Sequence, residues 1–162
     1  MKKVGIVMGS DSDLPVIQKA TGLLKELDIP FEVHVFSAHR TPEQARQFSL
    51  EARENGFGVL IAAAGMAAHL AGVIAANTTL PVIGIPCKGP VFDGLDALLS
   101  TVQMPSGIPV AAVGVNNGTN AALLAAEILS VGDQAIAERL QEKRERDTAA
   151  VLEKDAGIAA RL

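Results

Sequence analysis

The 162-residue sequence has no Trp, no Tyr and a single cysteine. Few aromatic side chains are available for base stacking and the net charge is −4, so we expect no nucleic-acid partner. Cys87 cannot form a disulfide within the chain, and no signal peptide precedes Val4. Both observations favour the reducing cytoplasm, with Cys87 as a small apolar side chain at the end of a strand.

Several cofactor and metal motifs are also missing. The sequence has neither the glycine spacing of a dinucleotide-binding turn nor the Gly-Lys-Ser/Thr of a nucleotide triphosphatase. No spacing of His, Cys, Asp and Glu resembles a metal site, and no Ser-His-Asp order stands out. We therefore expect no nicotinamide cofactor, no metal and no acyl-transfer chemistry.

One long apolar segment, residues 59–76, approaches the roughly 20 residues of a transmembrane helix. Gly65 and Gly72 interrupt it, and His69 would be costly in lipid. Its β-branched start suits a buried strand that runs into a helix of small residues. A soluble protein is therefore favoured over a membrane protein.

Short apolar runs alternate with helical patterns along the chain. The predicted strands are residues 4–8, 31–36, 59–64, 81–86 and 109–115. Helices are predicted over residues 14–27 and 42–55, and small residues open another after residue 65. The spacing of about 25 residues is typical of βαβ units. It predicts an α/β fold, a three-layer α/β/α sandwich with a flavodoxin-like parallel sheet in the order 2-1-3-4-5, rather than an eight-unit barrel.

The length favours one domain over residues 1–162. After Gly132 the chain becomes richer in charged residues, but residues 133–162 keep the single apolar stripe of surface helices. This helical C-terminal extension either packs on its own domain or reaches a neighbouring subunit, since the sheet is complete before it begins.

A histidine and an arginine, His39 and Arg40, stand side by side after the second predicted strand. Thr41 can cap the next helix, and Pro42 suits its first position. Ligands of open α/β sheets bind at the carboxyl ends of the strands, beside helix N-termini that favour anions. A proton carrier beside a permanent cation at this edge predicts proton transfer on an anionic small molecule.

Two other loops follow strands. In the first, Ser10 and Ser12 can donate to phosphate oxygens, and Asp13 can stabilise a helix N-terminus or accept from ribose hydroxyls, although the same residue types serve as ordinary caps. In the second, residues 65–70 bring small side chains against which a flat ring could lie. His69 there is either satisfied locally or in contact with a ligand, and His34 fits a structural or surface role.

Several motifs together resemble the PurE family of N5-carboxyaminoimidazole ribonucleotide (N5-CAIR) mutases. These are residues 8–13 (MGSDSD), 37–42 (SAHRTP), 67–70 (AAHL), 94–96 (GLD), 102–110 (VQMPSGIPV) and 120–126 (NAALLAA). The resemblance implies a cofactor-free enzyme that converts N5-CAIR into 4-carboxy-5-aminoimidazole ribonucleotide (CAIR) in purine biosynthesis. Members are typically homo-octamers whose terminal helices reach across subunits.

Site roles follow from the same resemblance. His39 matches the general acid/base, and Ser10, Asp13 and Arg40 match nucleotide-binding positions. Ser12 and Ser37 are expected near the phosphate. The remaining expected substrate contacts, beside the imidazole and its carboxylate, are Gly65, Ala67, His69 and Leu70.

The chain departs from the family pattern at three places. Met66 stands where Gly is usual, Ala71 where Pro is usual, and residues 87–91 match the pattern poorly. Two alternatives stay open: a carboxylase that uses free carbon dioxide on aminoimidazole ribonucleotide (AIR), and a non-catalytic flavodoxin-like domain that binds a phosphorylated ligand.

Overall fold

The chain folds around a five-stranded parallel sheet with the strand order β2-β1-β3-β4-β5. A computed structural model describes residues 1–159. The strands are β1 Lys3–Met8, β2 Phe31–Val35, β3 Phe57–Gly65, β4 Val82–Cys87 and β5 Ala111–Ala112. With helices on both faces, this order confirms the predicted three-layer α/β/α sandwich.

Six α-helices cover the sheet within residues 1–159. They are α1 Leu14–Glu26, α2 Pro42–Glu51, α3 Leu70–Ala76, α4 Leu95–Val102, α5 Gly118–Ser130 and α6 Gln134–Ile158. Helices α1 and α5 pack together on one face, and α2, α3 and α4 lie on the other. Helix α6 packs along α5. No helix in this described part of the chain is long and apolar enough to cross a membrane.

Strand side chains alternate between two apolar layers because successive residues of a strand point to opposite faces. On β1, Val4 and Ile6 pack toward α1 and α5, whereas Val7 packs toward α3. On β3, Ile61 packs toward α1 and α5, and Leu60 packs toward α3. Burial on both faces explains why these strands are continuous apolar runs rather than alternating ones.

Two elements are shorter in the structure than the sequence predicted. Helix α2 ends at Glu51 instead of residue 55, because the chain turns toward Gly56, whose φ of +83° is left-handed. Strand β5 covers only Ala111–Ala112 rather than residues 109–115. Pro109 has no N–H for the ladder, and Gly114 at φ +117° ends the extended path.

Residues 134–158 of the C-terminal extension form one continuous helix rather than several. Asp133 caps α6 through a hydrogen bond that its side chain accepts from the Ile136 N–H (3.3 Å). Ile136 is also the only buried residue of this helix as far as residue 158, and Val151 and Leu152 are about 60% exposed. Residues 160–162 of the predicted extension lie outside the described part of the chain. Packing on a neighbouring subunit stays a prediction.

Close approach of α1 and α5 depends on Gly118. A Cβ at this position would overlap the Val16 carbonyl oxygen, so we expect Gly118→Ala to lower the free energy of unfolding by about 1–3 kcal/mol. Gly22 is a matched control, because it lies on the exposed side of α1 with open space around it. Gly22→Ala should raise the free energy of unfolding by about 0.5–1 kcal/mol. Urea denaturation measures both, and equal effects of the two substitutions would contradict the close packing.

Candidate active site

A cavity of about 590 Å³ opens at the carboxyl edge of the sheet. Its walls come from the segments that follow β1, β2, β3 and β4. The strand order reverses between β1 and β3, and open α/β sheets bind their ligands at such a reversal. All ten predicted site residues border this cavity: Ser10, Ser12, Asp13, Ser37, His39, Arg40, Gly65, Ala67, His69 and Leu70.

A larger cavity, about 990 Å³, lies at the opposite edge of the sheet. It is bordered by the segments before β4 and β5, including Leu80 and Ile108, and by Arg53 after α2. Arg53 donates a hydrogen bond to the Thr79 hydroxyl (3.0 Å). No predicted site residue borders this cavity. The smaller cavity is therefore the candidate active site.

The turn that carries His39 is held by Ser37. Its Oγ accepts hydrogen bonds from the backbone N–H groups of His39 (3.3 Å) and Arg40 (3.1 Å). Thr41 closes the turn from the other side, since its Oγ1 accepts from the Ser37 N–H and donates to the Ser37 carbonyl. Thr41 occupies the predicted N-cap position of α2, but its side chain bonds this turn and not the helix. Pro42 begins α2 as predicted.

Arg40 ties this turn to the loop after β1. One guanidinium nitrogen donates a hydrogen bond to the Gly9 carbonyl oxygen (2.9 Å). Arg40 is exposed and stays charged, because guanidinium does not lose its proton in proteins. The bridge fixes a permanent positive charge beside the loop that contains Ser10 and Ser12.

The two imidazoles at the site are close neighbours on the cavity wall, with ring planes inclined by 39°. The ring centroids of His39 and His69 are 5.4 Å apart, and both residues are exposed. His34, by contrast, stacks on Phe36 with ring centroids 5.0 Å apart and lies outside the cavity. This position agrees with the structural or surface role predicted for His34.

The loop after β1 forms a short 3-10 helix, Asp11–Asp13, before α1 begins. Ser10 caps it, since its Oγ accepts a hydrogen bond from the Ser12 N–H (3.3 Å). Asp13 makes no capping hydrogen bond to α1. Its carboxyl group can therefore accept hydrogen bonds from a ligand in the cavity.

Asp13, on the cavity wall, lies close to the buried side chain of Cys87. Burial raises the pKa of the Asp13 carboxyl, and the neighbouring Cys87 side chain partly offsets that rise. Burial also raises the pKa of the Cys87 thiol to about 12, and the nearby Asp13 charge adds to the effect. Cys87 is therefore a buried neutral thiol, which agrees with the apolar role predicted for it.

The segment 65–70, which begins at the end of β3, forms part of the cavity wall. Gly65 is needed here, because a Cβ at this position would lie 3.3 Å from the Cys87 carbonyl oxygen. Met66 follows in a left-handed conformation with φ +56°. The N–H of Ala68 then donates to the Met66 carbonyl (2.8 Å), and the N–H of His69 donates to the Ala67 carbonyl (2.7 Å). These two tight turns lead into α3, where Leu70 is buried.

Sequence patterns missed the fourth wall, which consists of Lys88, Gly89 and Pro90 after β4. The Lys88 N–H donates to the Asn116 side chain (2.9 Å), and its ammonium group lies 3.0 Å from the Asp93 carboxylate. Lys88 brings a second cation to a cavity that already contains Arg40. The available signal was its place directly after a predicted strand of the sheet.

The cavity is thus bordered by two cations, two imidazoles and several hydroxyl groups, together with apolar side chains. A sequence model of the AIR carboxylase family matches residues 3–150. The chain belongs to the AIR carboxylase family.

Individual members of the family cover most of the chain. An N5-carboxyaminoimidazole ribonucleotide mutase from Pyrococcus abyssi is 55% identical, over 90% of this chain and 83% of that protein. A phosphoribosylaminoimidazole carboxylase from Ogataea methanolica is 56% identical over 80% of this chain, but the match spans only 24% of that protein. The crystal structure of Treponema denticola PurE superposes with a TM-score of 0.84 at 33% identity, over 94% of this chain and 96% of that one.

Asp13→Asn tests the cost of the buried carboxyl. A raised pKa in the folded state means that the ionised carboxyl opposes folding above its unfolded pKa of about 4. We therefore expect Asp13→Asn to raise the melting temperature at pH 7, with a gain that shrinks as the pH falls toward 4. Asp11→Asn, on the exposed side of the same loop, is the control. A gain that is constant with pH would contradict the assignment.

Proposed function

We propose that this chain is an N5-CAIR mutase, which interconverts N5-CAIR and CAIR in de novo purine (IMP) biosynthesis. The observation that carries the proposal is the match to the Pyrococcus abyssi mutase, at 55% identity over most of both chains. The cavity adds support, since its cations and hydroxyls suit a monophosphate and its imidazoles suit proton transfer.

The mutase is favoured over a carboxylase that uses free carbon dioxide. The Ogataea methanolica carboxylase is about four times as long as its matched region, whereas the Pyrococcus abyssi mutase is matched over most of its length. The motifs at residues 40–42 and 67–70 also resemble the mutase branch.

The phosphate and ribose would be held by the loops after β1 and β2. Ser10, Ser12 and Ser37 offer hydroxyl donors, and Arg40 offers a fixed positive charge. Asp13 would accept hydrogen bonds from the ribose hydroxyls, which fits a carboxylate without a capping partner. The ring would then lie against Gly65, Ala67 and Leu70, near both imidazoles.

The reaction moves one carboxyl group and one proton. The bond between the exocyclic nitrogen and the carboxyl carbon breaks, carbon dioxide is released, and the nitrogen gains a proton. Ring carbon C4 then bonds to the carbon dioxide and loses its proton. The proton gained at nitrogen equals the one lost at C4, so a single acid/base group ends in its starting state.

His39 is the proposed acid/base group. An imidazole both gives and accepts a proton near neutral pH, which this reaction requires in succession. The turn held by Ser37 fixes its backbone, and Arg40 beside it binds without taking part in proton transfer. His69 faces His39 at 5.4 Å and is proposed to contact the ring and its carboxylate.

His39→Asn should abolish the proton transfer while the loops that hold the nucleotide stay in place. We expect turnover to fall by at least about 10²–10⁴-fold, with CAIR binding largely retained. An ultraviolet assay with N5-CAIR and no added bicarbonate measures turnover, and calorimetry measures binding. His34→Asn, outside the cavity, should keep turnover near the wild-type rate.

The same assay separates the alternatives. Conversion of N5-CAIR without bicarbonate supports the mutase, and conversion of AIR only with bicarbonate supports the carboxylase. Nucleotide binding with no turnover of either substrate would favour the non-catalytic domain. Near-normal turnover of His39→Asn would refute the role of the imidazole.

We also propose a cytoplasmic homo-octamer. The buried free thiol of Cys87 suits a reducing compartment. Two groups of exposed apolar side chains support assembly: Leu95, Leu99 and Val102 on α4, and Val151 and Leu152 on α6. Contiguous exposed apolar side chains are typical of protein–protein contact surfaces.

Light scattering tests the assembly. We expect a mass equal to eight chains of 16.8 kDa. Leu99→Asp should shift the mass toward smaller species, because a carboxylate would be buried at the contact. Lys19→Asp, at an exposed position of α1, is a control that also introduces a carboxylate and should keep the wild-type mass. A monomeric wild-type protein would contradict the octamer.

A further inference from the structure

Met66 has a backbone conformation that its residue type disfavours. Within residues 1–159 it is one of four non-glycine residues with positive φ; the other three are Asp28, Asp93 and Asn116. Asp and Asn tolerate the left-handed region because their short side chains form local hydrogen bonds, whereas Met has no such compensation. A glycine would adopt φ +56° without strain.

Contacts of the Met66 side chain within the chain do not compensate for this backbone strain. The Met66 side chain is 62% exposed, so most of its apolar surface remains in contact with solvent. Its Cγ lies 3.6 Å from the point where a Cβ on Gly89 would be. The side chain thus reaches from the loop after β3 toward the loop after β4, but it buries little there.

The position of Met66 is in the mouth of the cavity. Met66 borders the cavity together with the apolar residues Ala67, Leu70 and Pro90. The cations Arg40 and Lys88 border the same cavity. A ligand bound by its phosphate at Arg40, after β2, would have the rest of its structure inside the cavity that Met66 borders after β3.

We infer that Met66 covers the reacting ring and retains the carbon dioxide that forms between the two steps. The inference rests on the proposed function and assigns a role to a residue that the family pattern does not explain. An unbranched thioether packs well on a flat ring and excludes water. Carbon dioxide is uncharged and apolar, so an apolar cover favours recapture at C4 over escape.

Label retention measures this role directly. N5-CAIR with a ¹³C carboxylate is converted in unlabelled bicarbonate, and mass spectrometry gives the label in CAIR and the AIR released, corrected for an enzyme-free sample. For Met66→Gly and Met66→Asn we expect AIR release per CAIR formed to rise by about 2–10-fold, the range of a sulfur–ring contact. Met66→Leu keeps an apolar cover and should stay near wild type.

The control is Asp28→Gly, which relieves a similar left-handed strain (φ +51°) in the turn before β2, at the opposite edge of the sheet. It should leave label retention unchanged. Wild-type label retention in both Met66→Gly and Met66→Asn would overturn the inference. Failure of the wild-type protein to convert N5-CAIR would instead overturn the proposed function, so the two failures are distinguishable.

Discussion

The pairing of β1 between β2 and β3 is the constraint on which the site depends. Parallel hydrogen bonding in register brings Met8 beside Val35 and Ala63, so three segments distant in sequence leave the sheet at one point. The chain then reverses direction across the sheet, which opens a space between the loops. The hydrogen bond from Arg40 to the Gly9 carbonyl joins two of these loops. Binding and chemistry therefore both derive from backbone pairing.

The site retains features that oppose stability. Asp13 is a carboxyl group whose charged form is disfavoured by burial, and Met66 occupies a conformation that suits glycine. Both lie on the cavity wall; Cys87 offsets the cost at Asp13 only in part, and the Met66 side chain stays largely exposed. Strain of this kind persists where the surrounding structure fixes it and a function uses it. The well-packed layers beneath, around Ile61 and Leu24, supply the stability that offsets it.

Much of this architecture could be predicted from sequence, because buried parallel strands and amphipathic helices leave strong periodic signals. The sheet order followed from the spacing of the βαβ units, and the grouping of His39 with Ser10 and His69 followed from the positions of these residues at strand ends. The ends of α2 and β5 could not be predicted, since they depend on the backbone at Gly56 and Gly114. Lys88 was missed because no local motif marks it. Left-handed strain at Met66 likewise has no signature in a single sequence.

Local opening at the carboxyl end of β4 can be measured through the buried thiol of Cys87. A thiol alkylates only as its thiolate, and here the thiolate is both shielded and disfavoured by burial and by Asp13. Alkylation of Cys87 therefore requires local opening of the strand ends. Because the sequence has one cysteine, the rate of alkylation reports local opening at this edge of the sheet. A ligand that keeps the edge closed would lower that rate.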